Sequence, residues 1–580
     1  MPSDNSQVIR KVALRGDFIL DEPEFNKGTA FSAEERKEFG LTSRLPYQVD
    51  SLDEQCNRAY DQLKSLRQPI KKNDFLWSLK AQNWVLFYEL ITRHLTELFP
   101  IIYTPTEAQA IANYSHLFRR PMGGIFMSYA NQDTMEEDFK THLTDSVGRK
   151  KEIDLVVISD GEAILGIGDQ GIGGVAITTA KAVIYTLTAG IDPARTLTIG
   201  LDVGTDNEKI LKDELYVGWR EKRVRGEKYY AFVDKVISLV ENEIGQGVLI
   251  HFEDFGVTNA QNILDKYKDS HAVFNDDVQG TGAVTLAALQ SAIQITKSPL
   301  SEQRILVYGA GSAGLGIARQ IRDAMTIRDL DGKSISKDEA NKHFYLVDKQ
   351  GLLIEGDESI RDGLKEFARD DWKDDGNEEK KKDLEKIVEW AKPTVIIGTS
   401  TQPGAFSEKV VKAMAKHTDR PIIFPLSNPT ELCECQPKDA NDWTEGKALL
   451  ATGSPFDPVK QPDGSEYIIA ECNNALIYPG IGFGVILAQA KTISDKMIVA
   501  ASKALAELSP ALKDSSASLL PAFEDSKSVN FVIALAVWEA AIKEGVARRV
   551  VNEKDRKKFA EKKMWKSEYK QFVYNKDGDL

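Results

Sequence analysis

Two short stretches carry carboxylates at a spacing that chemistry could use. VLIHFEDFG at 248–256 ends in Glu253 and Asp254, and HAVFNDDVQGTG at 271–282 carries Asp276 and Asp277. Each is an apolar run that stops at acids. Val248 to Phe252 predicts a buried strand. Acidic side chains just past a strand's carboxyl end, followed by Gly256, stand where open α/β sheets place their ligands. Three or four carboxylates gathered there repel one another and call for a cation, and hard oxygen ligands favour Mg²⁺ or Mn²⁺ over zinc. The alternative is that these acids are strand-end caps and turn residues; two such stretches close together in sequence favour the metal.

Two further side chains have a chemical reading beside an ordinary one. Lys181 lies in a segment otherwise built of Ile, Thr, Ala and Val. Such a lysine snorkels, or it is a base whose pKa burial and neighbouring carboxylates tune. Tyr103, in IIYTPTE at 101–107, reads first as a packed turn residue and second as a catalytic phenol.

The elements that must position these residues alternate between strand and helix. Apolar residues recur at helical spacing from Asp74 to Phe99, and the pattern ends at Pro100. Ser32 offers a cap before an acidic first turn. Asp154 to Ser159 and the TLTIGLDVGTDN segment at 196–207 predict buried strands. Gly166-x-Gly168-x-x-Gly171 matches a dinucleotide fingerprint, but its glycines come several residues after the strand and the clear helix begins only near Thr178.

A second fingerprint is better placed. RILVYGAGSAGLGIARQI at 304–321 gives a strand (Ile305 to Tyr308), then Gly309, Ala310, Gly311, Ser312, Ala313 and Gly314, then an immediate helix. These glycines permit a tight turn and let a pyrophosphate approach the helix N-terminus. The strand in HFYLVDKQG at 343–351 ends in Asp348, placed to hold adenosine ribose hydroxyls and to repel a 2′-phosphate. Its distance from the glycines exceeds the usual interval of about 20 residues, which the polar stretch 328–341 explains as an insertion. That reading favours NAD; Lys349 leaves NADP possible. KPTVIIGTSTQPGAF at 392–406 and RPIIFPLSNPTE at 420–431 predict two later strands of the same parallel sheet. Asn473 and Asn474 lie in a loop, where Asn is commonly turn chemistry. The charge run at 370–383 reads as a solvated surface segment, residues 485–549 as helical, and the basic tail from 550 as a peripheral helix with a frayed end.

Composition bounds the rest. The 580 residues carry a formal charge of −14, with 42% hydrophobic and 28% charged residues. That charge argues against nucleic acid or an anionic membrane as partner, and no apolar run stands out as a membrane span. Four cysteines (Cys56, Cys433, Cys435 and Cys472) are too few for a disulfide framework, and Cys433-x-Cys435 reads as structural. Acidic residues among the first thirty suit neither a signal nor a transit peptide, so the cytoplasm is the expected location.

Taken together, YTPTE, GEAILGIGDQG, DVGTDN, HFEDFG, FNDDVQGTG, GAGSAGLGIA, LSNPT and NNALIYPG resemble the malic enzyme family, in order from about residue 75 to 545. The resemblance implies an α/β protein: a helical N-terminal region (about 1–120), a malate- and metal-binding α/β part (about 121–271), a Rossmann-like NAD-binding domain with a C-terminal helical extension (272–545) and a tail (546–580). It implies oxidative decarboxylation of L-malate, with Glu253, Asp254 and Asp277 holding Mg²⁺ or Mn²⁺. Lys181 becomes the general base with Asp276 beside it, and Tyr103 the general acid. NAD(P) falls to the 309–316 loop, and Asn428 and Asn474 lie near substrate and nicotinamide. A homo-oligomer is implied as well. One position departs: the family's usual G-E-R-I-L-G, whose arginine clamps a malate carboxylate, has Ala163 here, as the malolactic enzymes have a small residue. A malolactic outcome, and a catalytically silent sensor, are therefore the two alternatives.

Overall fold

The computed structural model describes residues 9–121, 123–145, 148–327, 334–372 and 380–580. Two compact units form: Met1–Gly256 with Glu561–Leu580, and Val257–Ala560. The sequence reading divides the chain at 271/272; compactness divides it earlier, because the helix Val257–Tyr267 packs with the strand Val273–Asn275 in the second unit.

In the first unit, Ser32 and Glu35 close a reciprocal capping box on the helix Ala33–Glu38. The periodic segment predicted as one helix is three: Pro69–Lys80, Trp84–Arg93 and Leu95–Ile102. Asn83 starts the second by accepting a bond from the Leu86 amide, a local competition that periodicity does not register. Pro100 lies inside the third helix, not at its end. Four parallel strands follow in the spatial order Gly124–Ser128, Thr196–Asp202, Leu155–Ser159, Leu249–Phe252. Across them runs the helix Val175–Ala189, buried at almost every position.

The segment Gly171–Ala189 corrects the expectation about apolar runs: its 19 residues are long and apolar enough to cross a membrane by length and composition. It is instead a core helix, with 83% of that stretch buried inside the protein. Nor is the C-terminal end frayed. Phe572–Tyr574 pairs in parallel with Arg10–Val12, Phe572 is buried among Phe25 and Phe31, and the Tyr569 hydroxyl donates to Gln55. Aromatic residues in a basic tail find a core only through partners hundreds of residues away.

The second unit is built on one sheet, ordered Ala470–Glu471, Leu449–Thr452, Ile422–Pro425, Val395–Gly398, Ile305–Tyr308, Phe344–Asp348 and Gly351–Leu352. All neighbours are parallel except the last pair. Strand order reverses between Ile305–Tyr308 and Val395–Gly398, the kind of switch point at which open α/β sheets bind ligands beyond their carboxyl ends. The C-terminal helices Tyr478–Ala488, Asp495–Ala506 and Ser526–Lys543 pack together and onto Thr281–Thr296. Gly480 and Gly484 make that contact close: a Cβ on either would stand 2.7–2.8 Å from the backbone oxygens of Asn530 and Ala534. Part of the charge run (373–379) and part of the polar insertion (328–333) fall outside the described residues. All four cysteines are buried and unbridged.

Candidate active site

The first unit gathers its reactive side chains by two simple periodicities. Residues two apart on a strand share a face, and residues four apart on a helix share a stripe. His251 and Glu253 continue one face of the strand Leu249–Phe252; Lys181 and Tyr185 form one stripe of the helix Val175–Ala189. The two pairs meet. Lys181 Nζ lies 3.1 Å from Glu253 Oε1, both side chains almost fully buried. The other Glu253 oxygen is 2.7 Å from His251 Nε2, and His251 Nδ1 is 2.8 Å from the Tyr185 hydroxyl. Both oxygens of this carboxylate are thus held by side chains, and its direction is set. Sequence reading missed His251 and Tyr185, although the i, i+2 and i, i+4 spacings around Glu253 and Lys181 were there to be used.

Tyr103 ends the helix Leu95–Ile102, and its ring lies 5.2 Å from Lys181 Nζ. Lys181, Tyr103 and Glu253 are therefore brought together in one unit. Within that unit Lys181 is paired with Glu253. Asp254 takes a left-handed backbone conformation, φ 52°, uncommon for a residue with a Cβ. The turn points its Oδ2 at the Leu165 amide, 3.1 Å away, and its carbonyl accepts from the Ala163 amide at 3.1 Å. The residue replacing the expected arginine is therefore fastened directly to Asp254.

The loop carrying Gly166, Gly168 and Gly171 holds its own anion. The Asp169 carboxylate accepts from the amides of Gly171 and Asp206 at 2.9 and 2.8 Å and from both sides of the Arg223 guanidinium at 2.6 and 3.0 Å. Arg223 also donates to the Asp160 carbonyl at 2.9 Å, and Tyr229 donates to the Asp160 carboxylate at 2.5 Å. Donors that a phosphate would use are occupied by a side chain of the loop itself.

In the second unit, Asp276 and Asp277 open a single π-helical turn, Asp276–Gly280, capped by the Asn275 side chain. Asp276 is buried, and Gly280 makes room for it: a Cβ there would stand 1.9 Å from Asp276 Oδ1. Asn474 is tied to this turn, its amide 3.1 Å from the Thr281 hydroxyl and 3.5 Å from the Asp276 carbonyl. The structure thus brings Asn474 to Asp276, while Asn428 stands exposed after the strand Ile422–Pro425, in a cis bond to Pro429.

The glycines at 309–314 divide into two kinds. Gly309, at φ +101°, and Gly314 are packed: a Cβ would stand 2.6 Å from the Thr399–Ser400 backbone and 2.0 Å from the Gly309 carbonyl oxygen respectively. Gly311, by contrast, faces open space at the start of the helix Ser312–Thr326, and the buried Ser312 hydroxyl has no protein partner. An open backbone at a helix N-terminus with an unsatisfied hydroxyl fits a pyrophosphate. Asp348 ends its strand as predicted. Arg361, absent from the sequence reading, reaches it at 4.0 Å and donates to the Ala310 carbonyl at 2.6 Å. Glu434, fully buried between Cys433 and Cys435, accepts from the Ser400 amide and hydroxyl at 2.7 and 2.8 Å and from the Ser427 hydroxyl at 2.5 Å. It binds together the loops that follow two neighbouring strands, a role for the Cys-Glu-Cys segment that no local pattern discloses.

Comparison with known proteins gives matches along nearly the whole chain. Residues 80–268 match the family model "Malic enzyme, N-terminal domain", and residues 278–542 match "Malic enzyme, NAD binding domain". The NAD-dependent malic enzyme of Schizosaccharomyces pombe is 44% identical over 580 residues, covering 99% of this chain and 100% of that protein. NAD-dependent malic enzyme 3 of Bacillus subtilis is 45% identical, covering 93% of each. Among solved structures, malic enzyme from Pyrococcus horikoshii aligns with a TM-score of 0.54 at 22% identity, over 81% of this chain and 89% of that one, a likeness of fold.

Proposed function

The chain belongs to the malic enzyme family, and we infer that it converts L-malate, with NAD⁺, to pyruvate, CO₂ and NADH. One observation carries the assignment of chemistry to residues: the convergence of the buried Lys181 and Glu253 with the half-buried Tyr103 in the first unit. When bound, NAD⁺ is the oxidant, and a divalent cation supplies Lewis-acid polarisation at the C2 oxygen.

Everything else falls to the chain's own groups. Lys181 takes the proton of the C2 hydroxyl as C2 is oxidised, and burial beside Glu253 fixes its position. Tyr103 delivers a proton to C3 once CO₂ has left, a general-acid step. Glu253 and Asp254, with Asp277, are the proposed ligands of Mg²⁺ or Mn²⁺. The donor chemistry fits: hard carboxylate oxygens, two of them buried in one corner with a single lysine, leave negative charge for a cation to neutralise. Gly309 to Gly314 cradle the dinucleotide and Asp348 holds its ribose. Asn474 and Asn428 bind and orient malate and the nicotinamide. We also propose a homo-oligomer, which light scattering of the purified protein tests.

Ala163 raised a malolactic outcome; relatives 44–48% identical and named NAD-dependent malic enzymes do not favour it. The deciding experiment follows NADH, pyruvate and lactate in protein supplied with L-malate, Mn²⁺ and NAD⁺. NADH matched by pyruvate is expected; lactate with no net NADH overturns the reading. Lys181→Ala is expected to lower kcat by about 10²–10⁴, and an undiminished kcat removes Lys181 from its role.

A further inference from the structure

The helical part of the first unit encloses a cavity of about 490 Å³ that the chemistry above does not use. It lies between the helices Pro69–Lys80 and Thr106–Ala112 and the first turns of Val175–Ala189. Trp77, Ala81, Ala110, Leu117 and Val175 make most of its wall apolar, and its size is that of a small-molecule site.

Set in that wall is a charge without a counter-charge. Lys80 is 7% exposed. Its ammonium lies 5.9 Å from the Trp77 ring and 5.8 Å from the Trp84 ring, and among the described residues no carboxylate pairs with it. Burial alone pushes its pKa down to about 8. Two indole faces stabilise a cation but cannot neutralise it. The cavity's own acids are engaged elsewhere: Glu107 accepts from Asn73 at 2.7 Å and from the Trp77 indole at 3.1 Å, and Asp74 is paired with Arg119.

We propose that this cavity is a binding site for a small organic monocarboxylate with an aromatic or aliphatic body, its carboxylate paired with Lys80 and its body laid against Trp77 and the apolar wall. One buried cation matches one negative charge. Arg119, paired with Asp74, and Arg120 also line the cavity, but both are exposed; Lys80 is the buried cation among its lining residues. Thr179 lines the same cavity two residues before Lys181, and the Glu107 amide donates to the Tyr103 carbonyl at 2.8 Å. The segments that build this site therefore also carry the proposed base and acid.

The test uses binding and requires no turnover. 4-Phenylbutanoate and its uncharged analogue 4-phenylbutanamide are titrated into the full-length protein, followed by calorimetry and tryptophan fluorescence. Saturable 1:1 binding of the acid is expected, at least about tenfold tighter than the amide, the worth of a charge-assisted contact. Lys80→Met should erase that preference and Lys80→Arg should keep it, so a fault in folding is told apart from loss of the charge. Equal affinity for acid and amide, acid binding undiminished in Lys80→Met, or no saturable binding to the native protein overturns the proposal.

Discussion

Gly166-x-Gly168-x-x-Gly171 and Gly309-x-Gly311-x-x-Gly314 satisfy one pattern and do opposite things. In the second, strand Ile305–Tyr308 runs straight into the glycines and the helix begins at Ser312, so the backbone amides of a helix N-terminus face open space at Gly311. In the first, strand Leu155–Ser159 ends well before the glycines and the helix begins only at Val175. The loop between is long enough to fold on itself, with Asp169 and Arg223 filling the donors. The spacing of glycines says that the backbone turns; the distance from strand end to helix start says whether the turn presents its amides to a ligand.

Breaking the first loop's internal anion should produce the largest effect. Arg223→Ala leaves the buried Asp160 carboxylate and the half-buried Asp169 carboxylate without their cation and is expected to cost about 3–5 kcal/mol of unfolding free energy, read from urea denaturation. A loss below about 1 kcal/mol, the worth of an exposed ion pair, would mean that the loop does not depend on that ion pair. Next comes Gly314→Val. Its Cβ would meet the Gly309 carbonyl oxygen at 2.0 Å, so both stability and NAD⁺ binding should fall, overpacking of this kind costing about 1–3 kcal/mol.

Gly311→Val sharpens the contrast because it separates the two properties. The φ at Gly311 is −71° and its Cβ would touch no protein atom, so the melting temperature should stay near that of the native protein. KM for NAD⁺ should rise at least about tenfold where the backbone must approach the pyrophosphate; an unchanged KM would remove this loop from the cofactor site. The smallest effect belongs to Gly168→Ala. It has open space but φ +78°, so about 1 kcal/mol of left-handed strain is expected, with KM for NAD⁺ unchanged.

The same contrast runs through the buried lysines of the first unit. Lys181 and Lys80 both sit in apolar helical surroundings; one is paired with Glu253 and the other, among the described residues, with no acid. Sequence offered Lys181 as snorkelling or catalytic, and passed over Lys80, because the identity of a buried cation's neighbour is not written within its own helix.

What the sequence determined by itself is everything local. Apolar runs became the strands Leu249–Phe252, Ile305–Tyr308 and Phe344–Asp348, Ser32 capped its helix, and Glu253, Asp254 and Asp348 came at strand ends because a strand's length and its polar stop are read from neighbouring residues. Tertiary structure alone decided that the basic tail would complete a strand pair with Arg10–Val12, that Lys181 would reach Glu253, and that Tyr185 would reach His251. Those outcomes rest on contacts between residues far apart in the chain. A side chain's charge and shape are local properties; the partner that satisfies it is chosen by which segments the fold brings within a few ångströms.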